Sequence, residues 1–108
     1  MSKIGGGSLE LTGTGNTATN MNAAGGNTIL SGTSTTTVSN ILYVANSGIS
    51  GGAGGTLTVQ DSATLTSTKL LVGNNSSRNG TVNQTGGTVN FTGSGANDVR
   101  VGHWSNLT

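Results

Sequence analysis

The carboxylate side chains are the first candidates for chemistry, and the 108-residue chain has only Glu10, Asp61 and Asp98. Glycoside hydrolysis normally needs two carboxylates flanking the scissile bond, about 5–5.5 Å or 6.5–9.5 Å apart. Asp61 and Asp98 fall in different repeats of the pattern described below, and at different corners of it. We therefore predict no catalytic residue and no enzymatic activity for this chain.

His103 lies close in sequence to Asp98 and Ser105, so the three residue types of a Ser-His-Asp hydrolase triad are present. A triad needs residues that converge from separate elements, whereas these three share one short strand and turn. A polar turn is the better interpretation. Trp104 is kept as a candidate surface contact, because an exposed indole stacks on sugar rings, although a single Trp at a turn more often packs on its neighbour.

Residues 51–56, Gly-Gly-Ala-Gly-Gly-Thr, are similar to a glycine-rich calcium-binding turn. That turn needs an Asp where Thr56 stands, because calcium prefers carboxylate oxygens. A corner loop is predicted instead, and no metal or cofactor is expected. The chain also contains no cysteine, which excludes a disulfide framework and a thiolate metal site.

The composition excludes several classes of partner. Charged residues make up 6% of the chain and the net charge is +1, so there is no basic patch for nucleic acid. The sequence contains no run of 18 apolar residues, so no membrane span is predicted. The N-terminus lacks the apolar segment of a secretory signal. The chain has 20 glycines and no proline, a pairing that favours tight turns between hydrogen-bonded strands.

Short strand-like stretches recur along the chain with nearly constant spacing. Residues 41–46, 55–59 and 63–66 form one set, and residues 69–72, 80–84 and 88–92 form the next. Val44 and Val72 are 28 positions apart, and Val72 and Val101 are 29 apart. A period of this size is typical of stacked repeats.

The predicted fold is therefore all-β: a parallel β-solenoid, or β-helix, with three short strands per coil of about 28 residues. Coils 41–67, 68–95 and a partial coil 96–108 would place equivalent aliphatic side chains above one another, with threonines outside. Gly73 and the Gly86–Gly87 pair are expected at tight turns. The predicted core columns consist of Leu42, Leu70 and Val99; Val44, Val72 and Val101; Leu57 and Val82; and Leu65 and Val89.

Residues 1–40 have two competing interpretations, an attachment segment and a degenerate capping coil. Residues 1–7 read as a flexible lead and residues 13–27 as a loop too polar to bury. Residues 8–12, 28–30 and 35–38 read as short strands. Terminal repeats are commonly atypical because one face has no neighbour, which is the basis of the capping interpretation.

Residues 43–48 and 55–59, with residues 71–74 and 80–87, resemble a known repeat. It is the β-strand repeat of bacterial autotransporter passengers and of exosortase-sorted surface proteins, which also occurs in phage tail-fibre proteins. The resemblance covers residues 41–104. It implies an extended, non-catalytic β-solenoid, although Ala45 stands where the repeat usually has Gly, and Asp61-Ser62 where it has Gly-Gly.

The expected function is a non-enzymatic structural fibre, namely the N-terminal part of a phage tail fibre or similar virion appendage involved in host attachment. A virion protein reconciles an extracellular type of repeat with a start that lacks a secretion signal. The resemblance implies a homo-oligomer, with a trimer favoured, a protein partner on the particle held by the N-terminal segment, and further chain beyond residue 108 that contacts a cell-surface polysaccharide. Two alternatives stay open, a fragment of a secreted adhesin or autotransporter passenger, and the stalk of a polysaccharide-degrading tailspike.

Overall fold

The computed structural model describes residues 1–46, 54–73, 79–95 and 98–102, and within these ranges every regular element is a β-strand. None of the described residues belongs to a helix long and apolar enough to cross a membrane. The strands are β1 (Ser2–Lys3), β2 (Ser8–Leu11), β3 (Asn16–Ala23), β4 (Gly25–Leu30), β5 (Thr35–Val44), β6 (Gly54–Val59), β7 (Thr64–Val72), β8 (Asn79–Gln84), β9 (Thr88–Phe91) and β10 (Val99–Val101).

The strands form two sheets, and all strand pairs in both are parallel. One sheet has the order β1-β3-β5-β7-β10, with β9 also on β7, and the other has the order β2-β4-β6-β8. The chain crosses from one sheet to the other between consecutive strands from β1 to β8. The all-β, parallel part of the predicted fold class is confirmed.

The prediction of a loop over residues 13–27 is wrong. Strand β3 occupies most of this stretch and β4 begins at Gly25. Met21 and Ala23 are buried on the inner face, whereas Asn20 and Asn22 point outward. The alternation is short and its outward residues are asparagines, which are uncommon in strands, so the composition concealed a period-two pattern.

The prediction of a flexible lead over residues 1–7 is also wrong. Strand β1 pairs with the end of β3, and the amino group of Met1 donates a hydrogen bond to the Asn20 carbonyl at 2.9 Å. Asn27 N–H donates to the Gly7 carbonyl, also at 2.9 Å. Backbone pairing of this kind depends on the neighbouring strand, so residue type alone did not reveal it.

The two strands predicted at residues 35–38 and 41–46 are one continuous strand, β5, which ends at Val44. Its register shifts after Val38 against both β3 and β7. The Ser39–Asn40 break that looked like a turn is therefore a bulge, in which β5 has one more residue than either neighbour.

The core lies between the two sheets and is aliphatic. Its buried members come from β3 to β7 and from the turn before β7: Met21, Ala23, Leu30, Val38, Leu42, Val44, Leu57, Val59, Ala63, Leu65, Leu70 and Val72. Leu11, Ala18, Val89 and Phe91 are partly buried against it.

Two of the expected turn glycines have the left-handed backbone that favours glycine, Gly73 at φ 65° and Gly87 at φ 70°. Gly86 has a different constraint, because a Cβ there would lie 2.8 Å from the Asp61 carbonyl oxygen of the turn below. The two residues that depart from the repeat, Ala45 (φ 63°) and Asp61 (φ 59°), also adopt the left-handed conformation.

Candidate functional site

The most regular feature of the molecule is a set of columns in which equivalent side chains lie in register. Alternate residues of each strand point inward, and parallel pairing brings like positions together. The register pairs Leu42 with Leu70 and Leu70 with Val99, Val44 with Val72 and Val72 with Val101, Leu57 with Val82, and Leu65 with Val89.

Burial varies along these columns. Leu42, Val44, Leu57, Leu65, Leu70 and Val72 are buried, and Val89 is partly buried. Val82, Val99 and Val101 are 38%, 50% and 53% exposed. They lie on the last strand of their sheet, where no described strand covers them. Val82 and Val101, with Leu70, Val72, Gly80 and Thr81, border an open apolar groove.

The interior also contains polar side chains that sequence reasoning missed. Thr28 pairs with Leu9 and Leu57, and Thr36 pairs with Asn16 and Leu65, so both occupy inward positions. The hydroxyls of Thr28, Thr36 and Ser34 are buried and have no hydrogen-bond partner among the described residues. The signal was available: Thr28 is 29 positions before Leu57, and Thr36 is 29 before Leu65.

Each of the three carboxylates takes part in a local structural contact. Ser31 Oγ donates a hydrogen bond to Glu10, and the backbone N–H of Gly32 donates to Asp61 Oδ2 at 2.9 Å. The acids belong to three different places: β2, the turn between β6 and β7, and the residue before β10. In the described ranges, no group of three or more acidic or histidine side chains is placed to hold a metal.

Asp98 organises the segment between β9 and β10. Its Oδ2 accepts a hydrogen bond from Gly95 N–H at 2.5 Å, and its backbone carbonyl accepts one from Leu70 N–H at 2.7 Å. Lys69 Nζ lies 3.7 Å from Asp98 Oδ1. The carboxylate therefore holds a turn against β7. His103, Trp104 and Ser105, which sequence analysis placed beside it, lie outside the described residues, as do residues 51–53 of the glycine-rich stretch.

The outer faces carry amides and hydroxyls. Asn46 Nδ2 donates to Asn22 Oδ1 at 3.4 Å, and Asn22 Nδ2 donates to Ser2 Oγ at 3.4 Å. On the other sheet, Thr58 Oγ1 donates to Asn27 Oδ1 at 3.1 Å. An outer threonine column joins three strands through the paired positions Thr35, Thr64 and Thr88.

Comparisons with protein-family models, with curated proteins and with solved structures find no match to this chain.

Proposed function

We propose that this chain is a non-enzymatic structural module, a segment of a rod built as a parallel β-solenoid with three short strands per coil. The in-register pairing of the aliphatic columns carries the proposal. A chain that stacks like residues on like residues in parallel strands extends along one axis, and each layer provides the packing surface for the next.

Three features support three strands per coil. Strands β8, β9 and β10 are separate elements. Strand β9 pairs with the first part of β7, residues 64–67, and β10 pairs with the last part, residues 70–72. The bulge in β5 falls opposite the same division. In this proposal, the first and last parts of β5, and likewise of β7, lie on two different faces of the coil that meet at a corner. The coils differ in length, from a shift of 19 residues between Ser8 and Asn27 to 29 between Thr35 and Thr64.

The non-enzymatic part of the proposal is supported by how the acids are used. Glu10, Asp61 and Asp98 each have a neighbouring hydroxyl, backbone N–H or ammonium group as a partner. Hydrolysis by paired carboxylates needs two of them on either side of one substrate bond. Here the three acids instead contact turns and neighbouring strands, and the outer amides and hydroxyls hydrogen-bond to one another between strands.

The setting we propose is a virion appendage, the N-terminal part of a phage tail fibre or a related protein that mediates host attachment. The support is the resemblance of residues 41–104 to repeats of such fibres. In this proposal, the protein is a homo-oligomer, with a trimer favoured, and residues 1–40 form a capping coil that also faces the particle.

The solenoid is tested by spin labels on the outer threonine column. Nitroxides at Thr35→Cys and Thr64→Cys, on paired positions of adjacent strands, should show strong spin exchange, because adjacent strands lie about 4.7–4.9 Å apart. The matched control places labels at Thr35→Cys and Thr58→Cys, which lie on different sheets, and should lack that exchange. Equal spectra for the two pairs would refute the stacked arrangement.

The setting is tested by gold-labelled antibody against the chain, applied to phage particles and to the surface of producing cells. Label on the tail or baseplate supports the proposal. Label on intact cells alone would point to an adhesin. Loss of host polysaccharide on incubation with a full-length protein that extends beyond residue 108 would point to the stalk of a tailspike.

A further inference from the structure

Lys3 occupies an inward position at the first end of an aliphatic column. It pairs with Ala23, Ala23 pairs with Val44, and Val44 pairs with Val72. These three partners are 1%, 0% and 3% exposed. Ser2, the neighbour of Lys3, faces outward and receives a hydrogen bond from Asn22. A charged side chain therefore stands where the following strands have alanine or valine.

The Lys3 ammonium group is held by four backbone carbonyls. Nζ lies 3.1 Å from Ile4 O, 3.0 Å from Gly5 O, 3.2 Å from Gly6 O and 3.2 Å from Gly25 O. An ammonium group has three N–H donors and no acceptor, so a cluster of carbonyl oxygens is a suitable environment for it. We call these four oxygens the carbonyl cradle.

The glycines make the cradle possible. Gly5 has φ 74° and Gly7 has φ 83°, left-handed conformations that favour glycine, and in this segment the carbonyls of residues 4–6 all point to the Lys3 ammonium group. A Cβ at Gly25 would lie 2.9 Å from the backbone N and O of Gly5, so the two segments meet too closely for a side chain. The Met1–Gly7 lead, which the sequence predicted to be flexible, thus places three of its own carbonyls around the Lys3 ammonium group.

We propose that the carbonyl cradle is a binding site for a primary ammonium ion, with Lys3 as its intramolecular ligand. A free primary alkylammonium ion of matching length takes the place of the side chain when Lys3 is shortened. Occupation of the cradle holds residues 1–7 against β3 and β4. The cradle also ends the aliphatic column with a charge, and an edge lysine of this kind disfavours the addition of another strand. The inference does not depend on the setting proposed above.

Three amides report on the cradle because their acceptors lie in the first seven residues. Asn22 N–H donates to Met1 O at 2.8 Å, Ala24 N–H to Lys3 O at 2.9 Å, and Asn27 N–H to Gly7 O at 2.9 Å. Ala45 N–H, which donates to Ala23 O at 2.9 Å, is the internal reference. Native-state hydrogen exchange measures the local opening of each bond.

In the full chain, Lys3→Ala should speed exchange at Asn22, Ala24 and Asn27 by roughly three- to tenfold, the range for a partly exposed charged hydrogen-bond group. Exchange at Ala45 should not change. Adding n-propylammonium, which replaces the three methylenes and the ammonium lost from Lys3, should restore slow exchange. Tetramethylammonium at the same concentration has no N–H donor and should not.

The matched control is Lys69→Ala, because Lys69 lies on β7 and its ammonium contacts a carboxylate rather than the cradle. Exchange at the three reporter amides should be unaltered in this variant, with or without n-propylammonium. Unchanged reporter exchange in Lys3→Ala, or equal rescue by tetramethylammonium, would overturn the proposal.

A second measurement needs no variant. In the ¹⁵N spectrum of the unmodified protein, the ammonium protons of Lys3 should exchange with water several-fold more slowly than those of Lys69, whose side chain is 42% exposed. Equal exchange at the two lysines would show that the cradle does not hold the Lys3 ammonium in solution.

Discussion

At the bulge in β5, the side chain of Asn20 on β3 takes the place of a backbone acceptor: its Oδ1 accepts a hydrogen bond from the Ile41 backbone N–H at 3.3 Å. The same oxygen accepts a bond from Asn40 Nδ2 at 3.1 Å. On the opposite side of the bulge, Thr68 Oγ1 donates to the Ser39 carbonyl at 3.0 Å. Side chains from both neighbouring strands thus satisfy backbone groups that an extra residue removes from the regular ladder.

The first prediction concerns this amide. Asn20→Ala should lower the free energy of unfolding by about 1 kcal/mol, because Ile41 N–H and the Asn40 amide lose their acceptor. It should also speed hydrogen exchange at Ile41. The control, Asn40→Ala, removes only one outer donor and leaves the Asn20–Ile41 bond. Equal unfolding free energies for the two variants in urea would contradict the role of Asn20.

The second prediction concerns backbone strain at Ala45. A left-handed conformation costs a non-glycine residue about 1–2 kcal/mol, and Ala45 is buried at φ 63°. In Ala45→Gly, relief of that strain should offset the loss of a buried methyl group and the greater freedom of the unfolded chain. We expect the unfolding free energy to stay within about 0.5 kcal/mol of the original value.

The control for this comparison is Ala63→Gly. Ala63 is fully buried and has no left-handed backbone, so it has no strain to relieve. Its replacement should lower the unfolding free energy by about 1.5 kcal/mol, from the lost methyl and the chain entropy together. Chemical denaturation of both variants decides the matter, and equal losses would show that Ala45 is unstrained.

The third prediction concerns the buried hydroxyl of Thr28, for which the described part of the chain provides no hydrogen-bond partner. Thr28→Val exchanges the hydroxyl for a methyl group, removes the desolvation penalty and should raise the unfolding free energy by about 1 kcal/mol. In the control, Thr58→Val, the hydroxyl lost is bonded to Asn27 on the outer face, and stability should fall slightly. A loss of stability in Thr28→Val would mean that an enclosed water satisfies the hydroxyl.

The fourth prediction concerns the aliphatic column. Val72 is 3% exposed and lies between Val44 and Val101, with no described polar partner at its position in the column. Val72→Asp should lower the unfolding free energy by about 4 kcal/mol or more, which is most of the stability of a domain at the lower end of the ordinary range of about 5–15 kcal/mol. Asn79→Ala, at the exposed start of β8, should change little. Far-ultraviolet circular dichroism and thermal melting distinguish the two, and an unchanged melt for Val72→Asp would place its side chain outside the core.

Prediction from sequence succeeded where residue identity repeats. The recurrence of Leu and Val at intervals of 28 and 29 is enough to predict parallel strands and the pairing of Val44 with Val72 and Val101. Prediction also identified strands at residues 8–12 and 28–30 but failed over residues 1–7 and 13–27. There, Met21 and Ala23 pair with Leu42 and Val44 although the intervals are only 21 residues. The residues stack as in the later coils, but their spacing no longer matches the repeat of 28 or 29 residues.

The amino-acid sequence by itself determined the all-β class, the positions of most inward aliphatic residues and the turn glycines, because these follow from local alternation and from repetition along the chain. Only the tertiary structure decided that residues 1–7 hydrogen-bond to β3 and β4, that β5 continues through a bulge, and that the hydroxyls of Thr28 and Thr36 are buried without a partner among the described residues. Each of these depends on hydrogen bonds or packing between residues about 20 to 30 positions apart. A parallel strand gains its partners from the layers on either side, so its place is settled only when those layers are present.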